Sequence, residues 1–158
     1  MDTKRKKLDE LKKLREKYKS EGKVVVFTNG CFDVLHSGHI HLFRKAKKCG
    51  DVLIVAVNDD RSVSRLKGKG RPVFPLAERM EVLEAIQAID HLISFAQPTP
   101  RDLIQMLLPD VLVKGGDWKP DEVVGREEVE GAGGKVVIVP YLPGRSSSEI
   151  LEKIRIQS

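Results

Sequence analysis

Aromatic side chains make up only 5% of this 158-residue chain, and no basic–aromatic alternation is present. That argues against a stacking platform for single-stranded nucleic acid, and no nucleic-acid partner is expected. Cysteine is scarcer still. Cys31 and Cys49 do not make a disulfide framework, which fits a reducing, cytoplasmic setting. No apolar run approaches the roughly 20 residues needed to span a bilayer, so no membrane partner is expected. The lysine-rich first twenty residues have no apolar segment behind them and do not read as a secretory signal. Familiar chemical signatures are missing too: there is no GxxxxGK(S/T) phosphate loop, no GxSxG elbow and no HExxH. GAGG at 131–134 precedes a strand rather than following one, and so fails as a dinucleotide fingerprint.

What remains is a chain with 41% hydrophobic residues, enough for a core, at a length that suggests one domain. The net charge is +5, and 32% of residues are charged. Such a surplus attracts nucleic acid, acidic membrane or a phosphorylated small molecule. The N-terminal lysines themselves read as the solvated face of a helix.

Hydrophobic spacing orders the elements. Leu8, Leu11, Leu14 and Tyr18 form a narrow apolar stripe on a helix over 4–20, which has no partner in a minimal α/β unit and is expected outside it or against another subunit. The first strand is read over 23–28, followed by a helix opened by Ser37-Gly38 and stopped by Gly50. DVLIVAV at 51–57 is apolar throughout, as a strand buried on both faces should be. Asn58-Asp59-Asp60 caps a short helix, and the basic loop KGKGRPV follows. Pro75 starts a long helix over LAERMEVLEAIQAI, and 91–95 is a strand. Thr99 caps a helix with Pro100 at its first position, and DVLVKGGD is a strand running into a glycine turn. Residues 121–130 are helical, 135–140 a last strand, and Ser146 with Glu149 forms a capping box on the final helix. Alternating strands and helices, with apolar strands, predict an α/β fold: a doubly wound, Rossmann-like parallel sheet in one domain. Residues 1–21 are an added amphipathic helix and 22–158 the domain proper. Ligands of such sheets sit beyond the C-terminal ends of the strands. TNGCFDVLHSGH, NDD, KGGDW and PGRSSS all fall at such ends.

Each of these segments admits two readings. His36 and His39 flank Gly38 at a strand-to-helix corner, where backbone N–H groups suit a phosphate and imidazoles can donate to its oxygens. A metal could use the same residues with Cys31 or His41, but Cys49 stands at the far end of the helix and His41 lies about 200° round from His39. His41 is therefore expected to point elsewhere. Asp33 either orients a basic group or magnesium, or makes local turn hydrogen bonds. Lys67, Lys69 and Arg71 either capture an anion or belong to a solvated loop. Lys114-Gly115-Gly116-Asp117-Trp118 is either a nucleotide pocket or a tight turn with a packed tryptophan. Arg145-Ser146-Ser147-Ser148 is either a second anion site or a plain helix cap.

HSGH at 36–39 resembles the HxGH signature of the nucleotidyltransferase superfamily, and RSSSEI its second, hydroxyl-rich helix start. With VNDDRSVSRLKGKGRPV, LAERMEVLEAI, KGGDWKPDEVVG and GGKVVIVPYLPGRSSS in this order, residues 24–155 resemble the adenylyltransferases that make ADP-heptose for lipopolysaccharide core or another surface glycan. In many bacteria that activity is the C-terminal domain of a bifunctional kinase/adenylyltransferase. The resemblance implies a stand-alone form here, acting as a homodimer, with ATP and a sugar 1-phosphate as substrates. It implies Mg2+ carried mainly on the ATP phosphates, protein ligands to the metal being unknown. On the family pattern, Thr28, Asn29, Gly30, Cys31 and Phe32, with His36 and His39, contact the nucleotide phosphates. Arg145, Ser146, Ser147 and Ser148 close over them, and Lys114, Gly115, Gly116 and Trp118 form the nucleoside wall. Asp33, Asn58, Asp59, Lys67 and Arg71 take the sugar phosphate, and the catalytic set is His36, His39, Lys67 and Arg145. Where the family often has Ser-Thr-Thr this chain has Ser146-Ser147-Ser148, which keeps the hydroxyls. Two alternatives stand beside this reading: a cytidylyltransferase for glycerol 3-phosphate or another alcohol or sugar phosphate, and a metal- or nucleic-acid-binding module.

Overall fold

The apolar runs pair as one five-stranded sheet in the computed structural model, which describes residues 3–143 and 146–157. The elements run α1 (Leu8–Ser20), β1 (Val25–Gly30), α2 (Ser37–Lys47), β2 (Val52–Asn58), α3 (Asp60–Lys67), α4 (Leu76–Glu84), β3 (His91–Phe95), α5 (Arg101–Leu107), β4 (Val111–Gly115), a 3₁₀ turn (Pro120–Glu122), α6 (Arg126–Gly131), β5 (Lys135–Val139) and α7 (Ser147–Gln157). Strand order is β3-β2-β1-β4-β5, and every pairing is parallel. This is the Rossmann-like, doubly wound architecture expected from the alternation. All seven residues of β2 are buried, because helices cover both faces of the sheet.

Two cores result. Val26, Leu53, Val55, Val57, Val111 and Val113 pack with Phe43 and Ala46 of α2 and with Met80 and Leu83 of α4. Val25, Phe27, Ile54, Ala56 and Leu112 pack with Leu11 of α1, with Leu103, Ile104 and Leu107 of α5 and with Val129 of α6. The apolar stripe of α1 is thus spent within the chain: Leu8, Leu14 and Tyr18 lie on the same core as fully buried Leu11. Arg15 locks the helix down, donating to the carbonyls of Leu107 and Leu108 and pairing with Asp110 at 3.1 Å.

Several boundaries differ from expectation. The N-terminal helix starts at Leu8 rather than at residue 4, because residues 4–6 run beside β3: Lys6 N–H donates to the Leu92 carbonyl and Leu92 N–H to that of Lys4, both at 2.8 Å. The helix from Leu76 ends at Glu84, although Ile89 beyond it is still fully buried. The helical spacing of apolar residues continues there through turns. Pro100 takes the N-cap position of α5 in place of Thr99. The helix expected over 121–130 is split into the 3₁₀ turn and α6. Gly125, at φ +92°, separates them, and a Cβ there would lie 2.6 Å from Ile104 Cδ1. Only glycine both turns the chain and lets α6 close on α5. No helix among the described residues is long and apolar enough to cross a membrane.

Candidate active site

β1 lies at the centre of the sheet, with the chain passing to β2 on one side and to β4 on the other, so a crevice opens at their C-terminal ends. A cavity of about 480 Å³ fills it. That is within the range of small-molecule sites.

The histidine corner forms one wall. His36 is the N-cap of α2, with extended backbone, and its Nδ1 accepts from the Gly38 amide at 3.0 Å. His39 reaches back, its Nδ1 accepting from the His36 amide at 3.2 Å. The two rings sit 4.0 Å apart, centroid to centroid. Since each Nδ1 is an acceptor, each neutral ring carries its proton on Nε2. Burial, and secondarily His36, pushes the His39 pKa down to about 4, so that ring is neutral near pH 7. Phe32 supports it edge-on at 5.6 Å and also touches Phe43, at 5.1 Å. To do so Phe32 takes a positive φ of 48°, and a Cβ on Gly30 would lie 2.8 Å from its ring. Strained backbone of this kind concentrates at functional sites.

The basic loop forms a second wall, and Asp33 fixes it. The Asp33 carboxylate, buried at 3% exposure, accepts from Arg71 Nε at 2.7 Å, the Val73 amide at 2.8 Å and the Phe74 amide at 2.9 Å. Burial raises its pKa, but the hydrogen bonds from Phe74, Arg71 and Val73 outweigh that and hold it below the usual carboxylate value. Asp33 is therefore a positioning group for Arg71, and its acceptor sites are taken up by the loop. Lys67 and Arg71 both line the cavity.

Arg79 was not foreseen as a site residue. Its guanidinium, 2% exposed, donates to the carbonyls of Phe74, Cys31 and Asn58 at 2.7–2.9 Å and pairs with Asp60 at 2.7 Å. One buried side chain thus ties together the ends of β1, β2 and the basic loop. Its spacing was informative: position 79 falls on the buried i, i+3, i+4, i+7 face of α4 with Leu76, Met80 and Leu83.

KGGDW and the start of α7 complete the enclosure. Trp118 Nε1 donates to the Gly115 carbonyl at 3.2 Å, and Lys114 Nζ lies 5.0 Å over the indole. Gly116 has φ +122°, and a Cβ on it would fall 2.9 Å from both Trp118 and Tyr141. Ser146 Oγ caps α7 through the Glu149 amide, while Ser147 Oγ donates to the Val34 carbonyl at 2.7 Å, drawing α7 onto the histidine loop.

Asn29, Gly30, Cys31, Phe32, Asn58, Gly115, Trp118, Ser146, Ser147 and Ser148 line this one cavity together with the histidines and basic residues above. Thr28, Asp59 and Gly116 do not. Thr28 is fully buried within β1, Asp59 is occupied as the N-cap of α3 through Ser62, and Gly116 shapes the turn behind Trp118. Cys31 keeps its proton, burial raising its pKa, and its carbonyl is held by Arg79. Arg145 lies outside the described residues. His41, expected to point elsewhere, also lines the cavity, which is wide enough to extend along α2 past its first turn.

The chain matches the cytidylyltransferase-like family over residues 27–153, and it belongs to that family of nucleotidyltransferases. It is 50% identical to the bifunctional protein HldE of Geobacter metallireducens over 97% of its own length and 31% of the relative's. It is 49% identical to HldE of Salmonella arizonae over 95% of its length and 31% of that protein. The chain thus spans about a third of the curated relatives it matches. Among solved structures, the lipopolysaccharide core biosynthesis protein of Thermoplasma volcanium superposes with a TM-score of 0.62 at 32% identity, over 77% of this chain and 98% of that one. A pantoate-beta-alanine ligase from Francisella tularensis gives the same TM-score at 16% identity, over 98% of this chain and 78% of that one, a likeness of fold alone.

Proposed function

We propose that this chain transfers AMP from ATP to heptose 1-phosphate, giving ADP-heptose and pyrophosphate for lipopolysaccharide core or another surface glycan. The observation that carries the transfer chemistry is the His36–His39 pair, two Nε2–H donors set at the start of α2 in the crevice of the sheet. In this reading the acceptor phosphate attacks the α-phosphorus in line and pyrophosphate leaves, with no covalent enzyme intermediate. The imidazoles donate to phosphate oxygens as negative charge grows on them, and Lys67 and Arg71 balance the two converging anions. Arg145 would close over the phosphates with the serines of α7. The choice of ATP and heptose 1-phosphate rests on the identity of about half to HldE across nearly the whole chain, and on the order of the HSGH, LKGKGRPV and KGGDW segments.

Magnesium belongs to this reading as a passenger on the nucleotide. Asp33 has its oxygens filled by Arg71, Val73 and Phe74, and no three ligating His, Cys, Asp or Glu side chains converge among the described residues. The donor set does not fit a cage built by the protein, so the ion enters as part of the ATP substrate. A cytoplasmic setting and a homodimer complete the proposal. Since α1 spends its stripe on α5, support for self-association comes instead from α7, which buries no residue and leaves Ile154 and Ile156 exposed at 56% and 75%.

The test is to incubate the protein with ATP or CTP and either heptose 1-phosphate or glycerol 3-phosphate. ATP with heptose 1-phosphate should give ADP-heptose and pyrophosphate. A preference for CTP and an alcohol phosphate would overturn the assignment.

A further inference from the structure

The sheet divides the crevice into two sides. Side chains along a strand alternate between its faces. Val26, Val111 and Val113 point into the core under α2, whose N-terminus carries the histidines. Phe27, Ala56 and Leu112 point into the other core, under α5 and α6. Two residues further along the same face come Asn29 on β1, Asn58 on β2 and Lys114 on β4. Phe27 pairs with Leu112, so continuing the register brings Asn29 level with Lys114. Asn29 pairs with Ala56, and Asn58 is the next residue of that face on β2. Three adjacent strands therefore raise three polar side chains at one crest, all lining the cavity, on the side away from α2.

Lys114 is the telling member. Among the described residues it has no acidic partner, and its ammonium rests on the Trp118 ring. Burial lowers its pKa, and Lys67 pushes in the same direction. A partly desolvated cation beside another cation is stabilised by an arriving anion. The carboxamides of Asn29 and Asn58 both donate and accept, as hydroxyl groups require.

We propose that Asn29, Asn58 and Lys114 form the acceptor subsite, Lys114 holding the phosphate of a phosphorylated sugar and the two carboxamides its hydroxyls. The nucleotide then lies on the α2 side: Asn29 serves the acceptor rather than the nucleotide phosphates, and Lys114 the acceptor rather than the nucleoside wall. The assignment rests on the nucleotidyl-transfer reading above but not on heptose as the sugar.

The experiment separates the two. Binding of α,β-methylene-ATP is measured by calorimetry for the wild type, Lys114→Met, Lys114→Arg and Asn29→Ala. A panel of sugar 1-phosphates that includes heptose 1-phosphate is then titrated onto each nucleotide-loaded protein. Lys114→Met and Asn29→Ala should each weaken the sugar phosphate about tenfold or more, leave the nucleotide within about twofold, and Lys114→Arg should recover part of the loss. Weakened nucleotide binding with unchanged sugar-phosphate binding overturns the subsite, as does an equal loss of both, no loss of either, or a panel that the loaded wild type does not bind. Binding of a sugar phosphate other than heptose 1-phosphate, lost in these variants, upholds the subsite and overturns the heptose assignment.

Discussion

The histidine corner and the basic loop face each other across one cavity and are held by opposite means. His36 and His39 are fixed by amides two and three residues away, within their own turn. Arg71, Val73 and Phe74 are fixed by Asp33, some forty residues earlier in the chain, and Arg79 binds that arrangement to the ends of two strands. A self-contained corner should fail chemically while the fold survives. A loop hung from one buried carboxylate should fail structurally, and take substrate binding with it.

The largest effect should come from the corner. His39→Ala removes the proposed donor to the reacting phosphates and should lower kcat about 10²–10³-fold; unchanged turnover would remove the role. The same ring sets a pH signature. With its folded pKa near 4 against 6.5 in the unfolded chain, His39 gains its proton later in the folded state, so stability falls as pH drops from about 6.5 towards 4. The wild-type kcat/KM profile should accordingly show no limb from His39 near pH 6.5.

Arg79→Met would blur the contrast by loosening both regions. Three carbonyls and Asp60 lose their donor, and urea unfolding should register a loss of about 3 kcal/mol, of which Arg79→Lys restores only part. Asp33→Asn attacks the loop alone. It should cost about 2 kcal/mol and raise the acceptor KM more than it lowers kcat. Because the folded pKa of Asp33 lies below the ordinary aspartate value of 3.8, its contribution is complete above that pH and is lost as pH falls through the folded value. The variant should lack this acid limb. The smallest effect is expected at Gly116→Ala, where φ +122° and contact with Trp118 and Tyr141 oppose a Cβ; about 1 kcal/mol of stability, seen as a small shift of the unfolding midpoint, is the expectation.

The same contrast explains what could be read from the sequence. HSGH and its two histidines were legible because the contacts that orient them span two and three residues. The strands were legible from their apolar stretches, VVF in β1, VLIVAV in β2 and VLV in β4. The partners of Asp33 were not, since its donors come from a loop whose glycines and prolines carry no periodic signal. Arg79 was hidden by its charge: an arginine on an apolar helix face reads as solvated unless carbonyls are known to surround it. Helical angle alone turns His41 away from His39, but it does not say how far the cavity extends along α2. Asp59 and Gly116 stand in sequence beside residues that line the pocket, but one is occupied as a cap and the other shapes a turn.

Residues 4–6, running beside β3, have a consequence of another kind. β3 is the last strand of the sheet on its side, and an uncovered edge offers a row of amides and carbonyls to any passing strand. The backbone bonds of Lys4 and Lys6 to Leu92 occupy part of that row, and their lysines surround it with like charge. The segment 4–6 thereby guards that edge against aggregation: replacing it should leave the chemistry intact and shorten the life of the protein in concentrated solution.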